Sequence, residues 1–75
     1  MNLQFAYKII GTAQHEPSGF LVRGREAAHE VHLMAEAGLV KLGESEPTEA
    51  VITRITHAGR QFYRALKNVR AYSNS

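Results

Sequence analysis

The chain has 75 residues, no cysteine and a net charge of +2 at pH 7. A chain of this length forms one small domain that buries only about 60% of the surface exposed in its unfolded state. The absence of cysteine excludes disulfides and thiolate metal sites. The uninterrupted apolar runs are a few residues long, well short of the roughly 20 residues of a membrane span, so we expect a soluble cytoplasmic protein without a membrane partner.

The charges are divided unevenly along the sequence. Residues 1–49 carry four cations and seven glutamates, a net charge of −3, whereas residues 50–75 carry five cations and no acid, a net charge of +5. This asymmetry favours an anionic partner for the second part of the chain, or contact between unlike parts of two copies.

The first predicted element is a helix over residues 2–13. One helical side would hold Leu3, Ala6, Tyr7 and Ile10, but Leu3, Phe5, Tyr7 and Ile9 also alternate as they would in a strand. Periodicity cannot decide so short a run. We choose the helix because the family resemblance described below implies a helix over the core and because Ala, Gln and Lys favour one. Residues 15–19 then form a turn, and the apolar residues 20–22 form a short edge strand.

A second helix is predicted over residues 25–37, with one core side and one polar side. At about 100° per residue the core side holds Ala27, Val31, Met34 and Ala35, and the polar side holds Arg25, His29, His32 and Glu36. Gly24 stands in the N-cap position without a capping side chain. Gly38 follows the helix, where a residue without Cβ can close it in the left-handed conformation, so Leu39 should fold back onto Met34.

Two strands are predicted on either side of an acidic loop. In residues 39–43, Val40 and Leu42 alternate with Lys41; in residues 50–56, Val51, Thr53 and Ile55 alternate with Ala50, Ile52 and Arg54. The connection is too long for a two-residue turn, and Pro47 suits a loop better than a ladder. We therefore expect a hairpin that projects as a wing and carries Glu44, Glu46 and Glu49.

The last predicted helix covers residues 57–71, with Thr56 as its N-cap. Its apolar side would hold Ala58, Phe62, Ala65, Leu66, Val69 and Tyr72, and its polar side Arg60, Tyr63, Arg64, Lys67 and Arg70. Gly59 is expected to allow close packing against a neighbouring element. The single domain then spans residues 1–72, and residues 73–75 form a disordered tail.

Two motifs in this order resemble the winged helix-turn-helix domains. They are Leu-Met-Ala-Glu-Ala-Gly-Leu-Val at residues 33–40 and Ile-Thr-His-Ala-Gly-Arg-Gln-Phe at residues 55–62, and similar motifs occur in MarR-like and PadR-like regulators and in small phage-type proteins. The resemblance covers roughly half of the chain. It implies an α+β winged-helix-like domain, with two or three helices and a small two- to three-stranded antiparallel sheet. Only one helix fits between Gly19 and Gly38, where a complete helix-turn-helix needs two.

The same resemblance implies a small DNA-binding protein that acts as a transcriptional regulator or an accessory factor, with double-stranded DNA as its partner. The candidate nucleic-acid-binding residues are Arg25, His29 and His32 before the wing, Arg54 in the last strand, and Arg60, Arg64 and Lys67 in the final helix. The glutamates of the second helix and of the wing would repel phosphates. The alternative is therefore a protein-interaction or dimerisation module on the same scaffold that does not bind DNA, with a second copy or another protein as its partner.

Neither an enzyme motif nor a cofactor motif is present in the sequence. His29 and His32 are three residues apart and could approach one metal ion, but the run His-Glu-Val-His is one residue short of the zinc-protease pattern and a third ligand is not assured. We expect two exposed histidines, no metal, no cofactor and no catalytic residue.

Overall fold

The computed structural model describes residues 1–16 and 18–73, with side chains described up to residue 69. Its elements, in order, are α1 (Leu3–Ala13), β1 (Phe20–Arg23), α2 (Arg25–Glu36), β2 (Val40–Leu42), β3 (Glu49–Ile55) and α3 (His57–Ser73). The predicted α+β class and element order are confirmed. Residue 73, which was predicted to begin a disordered tail, is the last residue of α3. Residues 74–75 lie outside the described residues. Within the described ranges, every helix is too short or too polar to cross a membrane.

The three strands form one antiparallel sheet in the order β1-β3-β2. The predicted edge strand pairs with β3 in a regular register from Phe20 opposite Ile52 to Arg23 opposite Glu49. On the other side of β3, Val40 lies opposite Ile55 and completes the hairpin. β3 is therefore the central strand, and β1 and β2 are the two edge strands.

The predicted alternation holds from Ala50 to Ile52 and is wrong after Ile52, because β3 contains a β-bulge. The register passes from Lys41 opposite Arg54 to Leu42 opposite Ile52, so one residue of β3 is extra. An extra residue reverses the in-out order of the side chains that follow it. Ile52 and Ile55 are consequently both buried, at 2% and 7% exposure, and Thr53 and Arg54 both face solvent.

One apolar core lies between the helices and the sheet. Its fully buried side chains of largest volume are Ile10, Met34, Ile52 and Val31. Met34 and Val31 were predicted in this position, and Ala28, which was not assigned to the core side of α2, is also completely buried. Among the described side chains the buried class contains no polar or charged residue, so apolar burial stabilises the domain.

The predicted sides of α1 and α3 are confirmed only in part, since Ala6 and Ile10 of α1 are buried as predicted. Leu3 is 53% exposed, because the first turn of α1 lies at the margin of the core, and Ala58, Ala65 and Val69 of α3 are also exposed. Tyr63 was assigned to the polar side of α3, yet it is half-buried and its ring stacks on Tyr7, with centroids 4.7 Å apart. α3 packs on α1 through this ring pair, so its buried side is rotated from the predicted one. The predicted orientations of Arg70 and Tyr72 lie outside the described side chains.

The helix ends follow their local sequence. The Asn2 side chain accepts a hydrogen bond from the Phe5 amide at 3.0 Å and caps α1. At the end of α2, Gly38 has φ of +80°, its amide donates to Ala35 O, and the Leu39 amide donates to Met34 O at 3.0 Å. These two bonds define a Schellman motif, which buries Leu39 as predicted.

Candidate interaction surfaces

The polar side of α2 is exposed, but its charge is mainly negative. Arg25 and His29 face solvent, while His32 is half-buried with its Nε2 3.4 Å from the Glu46 carbonyl oxygen. The same helix carries three glutamates against its single arginine: Glu26, Glu30 and Glu36. Three of the candidate residues are therefore brought together on one helix, in surroundings that attract cations more than phosphates.

The loop that joins β2 to β3 forms an acidic end of the sheet. Glu46 and Glu49 form an isolated bridge in which each amide donates to the carbonyl of the other residue. The Glu49 carboxylate lies 3.7 Å from the Arg23 guanidinium, and both side chains are well exposed, so this ion pair contributes little to stability. Glu44 and Glu46 remain exposed beside it. An acidic hairpin end is unsuited to hold the backbone of DNA.

The three cations of α3 whose side chains are described form a row. Arg60, Arg64 and Lys67 are spaced by four and three residues, so they lie on one side of the helix, and all three are exposed. At 1.5 Å per residue the row spans about 10 Å along the helix axis. α3 contains no acidic residue, so no carboxylate of the same helix neutralises these positive charges.

Arg54 extends this row onto the sheet. It lines, together with Arg60, an open cleft of about 330 Å³ between the end of α1, β3 and the start of α3. Glu16 is the one acid that lines this cleft, and no ion pair joins it to either arginine in the described residues. Arg54, Arg60, Arg64 and Lys67 are called the cationic row below. The bulge creates this continuity, because it turns Arg54 outwards.

Lys41 belongs to the same surface, although the sequence analysis did not select it as a candidate DNA-binding residue. It lies directly opposite Arg54 in the β2-β3 ladder, and both residues are exposed. Directly opposed residues of an antiparallel pair share a face, with Cβ atoms about 5 Å apart, and two like charges there destabilise the sheet. Only the register reveals this proximity, because Lys41 and Arg54 are far apart in sequence.

The seven candidate residues therefore fall into two groups. Arg25, His29 and His32 lie on the acidic α2, and the four members of the cationic row lie on β3 and α3. His29 and His32 do not join a metal-binding cluster: the described residues contain no group of three histidine or acidic side chains suited to hold an ion. No protein-family model, curated protein or solved structure matches the chain.

Proposed function

We propose that the protein is a small winged-helix-like DNA-binding protein, acting as a transcriptional regulator or an accessory factor, and that it holds duplex DNA by its phosphates. The observation that carries this proposal is the cationic row: four exposed cations on β3 and α3 without an ion-pair partner among the described residues. Such a row neutralises phosphates and releases their counterions, which drives binding that is independent of sequence.

The dimensions of the row fit a DNA strand. Arg60, Arg64 and Lys67 span about 10 Å, which is the length of duplex axis along which one strand of B-DNA carries about three phosphates. Arg54 and Lys41 add charge at the end that lies on the sheet. The glutamates of α2 and of the acidic loop point to a backbone-binding mode in which α2 is not inserted deeply into the major groove.

Fluorescence anisotropy with a labelled random duplex at about 50 mM salt tests this proposal. Replacing Arg60 and Arg64 together with glutamate should abolish binding and leave the fold intact, because both side chains are exposed. The matched control is the pair Lys8→Glu with Arg25→Glu, which changes the net charge equally at exposed positions outside the row.

The control separates the two candidate surfaces. If the row binds DNA, the control pair weakens binding only through the general loss of charge. If α2 binds DNA, the control pair abolishes binding and the row variant retains it, which contradicts the proposed surface. Absence of binding by the wild-type protein at about 50 mM salt rejects the function itself.

The acidic α2 and the acidic loop favour a second candidate function, which is a protein-interaction or dimerisation module without DNA binding. Both surfaces would repel phosphates, yet they would suit a cationic region of a protein. This alternative predicts no anisotropy change with duplex at low salt, together with association with itself or with a protein partner. The wild-type titration therefore distinguishes the two functions.

A further inference from the structure

The cleft that Arg54 and Arg60 line is the recessed end of the cationic row. It lies between the end of α1, β3 and the start of α3, and its volume of about 330 Å³ is at the lower end of the range for small-molecule sites. Its lining includes residues that belong to the core: Ala13, Ile52 and Ile55. Arg64 and Lys67 do not line the cleft and continue the row along the exposed side of α3. One part of the row can therefore surround a ligand group, whereas the other part can only meet a surface.

The strongest hydrogen-bond donors of the cleft are available to a ligand. Among the described residues, neither Arg54 nor Arg60 forms an ion pair, and the side-chain amide of Gln14 at the end of α1 forms no hydrogen bond. The Thr53 hydroxyl is already engaged, because it donates to the Lys41 carbonyl oxygen at 3.2 Å. Two guanidinium groups and one amide group remain as donors. A guanidinium group can bind phosphate oxygens through two parallel hydrogen bonds, so these donors suit a phosphate.

The charged side chains at the cleft have an excess of two positive charges. Arg54 and Arg60 line it, Lys41 lies opposite Arg54 in the ladder, and Glu16 is the one acid in the lining. The end of α1 and the start of α3 also border the cleft, and their opposite partial charges partly offset each other. An internal phosphate of DNA carries one negative charge, whereas a phosphomonoester carries about 1.5 to 2 at pH 7. The charge excess therefore fits a phosphomonoester better than a phosphodiester.

We propose that this cleft binds a phosphomonoester, which is the terminal phosphate of a DNA strand or of a small organic phosphate. A terminal phosphate projects from its molecule and can enter a recess, whereas an internal phosphate of a duplex lies on a convex surface. The guanidinium groups of Arg54 and Arg60 hold the phosphate oxygens, and Gln14 adds an uncharged donor. At a DNA end, the rest of the row continues along the strand. In that form the inference deepens the proposed function and rests on it, but binding of a small phosphate does not.

A DNA hairpin with a single blunt end separates the terminal phosphate from the backbone phosphates. Fluorescence anisotropy at about 50 mM salt compares the hairpin with a 5′-phosphate and the same hairpin with a 5′-hydroxyl. The phosphorylated hairpin should bind at least about tenfold more tightly, which is the effect of one good hydrogen bond to a charged group. Arg54→Gln should remove this preference. The matched control is Arg64→Gln, in the same row but outside the cleft, which should weaken both hairpins equally and keep their ratio.

Removal of the acid from the cleft should strengthen the preference. Glu16→Gln takes away the one carboxylate that would repel the phosphate, so the ratio of the two affinities should rise by up to about fivefold. Glu26→Gln serves as the control, because this exposed residue lines a different hollow beside Asn2 and Phe5, at the other end of α1. It changes the net charge equally and should leave the ratio unchanged. A gain of binding cannot result from damage to the fold.

NMR titration with adenosine monophosphate tests the small phosphate, with adenosine as the control ligand. The amide signals of Gln14, Arg54 and Arg60 should shift with the monophosphate and not with adenosine. These shifts together with equal affinity for the two hairpins identify a small phosphate as the ligand, and a hairpin preference without the shifts identifies the DNA end.

Two results overturn the proposed phosphate site. One is equal affinity for the two hairpins, or binding to neither, together with the absence of shifts. The other is a hairpin preference that Arg54→Gln retains. Absence of binding to either hairpin rejects the proposed function, but shifts with adenosine monophosphate would still support the phosphate site.

Discussion

At the scale of single residues, hydrogen bonds and close packing constrain the junction between α2, β2 and α3. The Thr56 hydroxyl donates to Gly38 O at 2.6 Å and accepts a hydrogen bond from the Gly59 amide at 2.9 Å. The Thr56 amide donates to Leu39 O at 3.1 Å. One threonine therefore caps α3 and ties it to the end of α2. Gly59 packs directly on this junction, since a Cβ there would overlap Leu39 O.

Gly59→Ala should consequently destabilise the protein. At an unconstrained helical position this change stabilises by about 0.4–1 kcal/mol, but here the new methyl group meets a backbone oxygen that is fixed by its own hydrogen bond. Overpacking of this kind costs about 1–3 kcal/mol or more. Urea unfolding measures the change, and Gln61→Ala, an exposed neighbour on α3, serves as the control. A rise in the free energy of unfolding for Gly59→Ala would contradict the close packing.

At the scale of elements, the β-bulge in β3 affects both stability and the surface of the proposed function. It restores Ile55 to the core after Ile52, and it turns Arg54 to the face occupied by Lys41. Burial of Ile55 stabilises the sheet, whereas the outward position of Arg54 places two cations opposite each other in the ladder, where they repel. The bound phosphates of the proposed complex would relieve this repulsion, so the strain would lie at the functional surface.

Lys41→Gln should therefore stabilise the free protein and weaken DNA binding. Removal of one member of a directly opposed pair should raise the free energy of unfolding by about 0.2–1 kcal/mol at low salt, and the gain should fall at high salt because screening weakens the repulsion. Urea unfolding at two salt concentrations measures this effect. Lys8→Gln on α1, where no cross-strand cation exists, should show no such gain. Equal stability of the Lys41 variant and the wild type at low salt would mean that the two cations do not interact.

At the scale of the whole molecule, charge is separated between surfaces. The acids lie mainly on α2 and on the loop between β2 and β3, and the cationic row lies on β3 and α3. A net charge of only +2 hides this separation. Steering of a polyanion depends on the local field as well as on the net charge, so the proposed DNA contact would involve the cationic row and not the acidic surfaces.

The salt dependence of DNA binding should indicate how many phosphates the cationic row neutralises. Four neutralised phosphates give a slope of about −3.6 for the logarithm of the association constant against the logarithm of salt concentration. The affinity should then fall on the order of 100-fold between about 50 and 200 mM salt. Anisotropy titrations across this range measure the slope, and Lys67→Gln should reduce its magnitude by about one. A slope near zero would show that phosphate contacts do not drive binding.

Local signals in the amino-acid sequence were sufficient to predict the elements and their order. Periodicity, Gly38 after α2 and the N-cap position of Thr56 are local signals, because hydrogen bonds between near neighbours decide where helices begin and end. The same signals identified the cations of α3 as one row, since three- and four-residue spacings place side chains on one side of a helix. The ambiguous residues 2–13 were assigned correctly as a helix, but that choice used the winged-helix resemblance as well as the helix-forming composition.

The sequence did not predict which exposed residues lie next to each other. The bulge, the Lys41–Arg54 pair and the shared cleft of Arg54 and Arg60 follow from strand register and from the docking of α3, which link residues distant in sequence. The stacking of Tyr63 on Tyr7 likewise rotates α3 from its predicted orientation and leaves Val69 outside. Periodicity specifies the sides of an element relative to each other, but packing against neighbours selects the side that is buried and hence the surface that remains for binding.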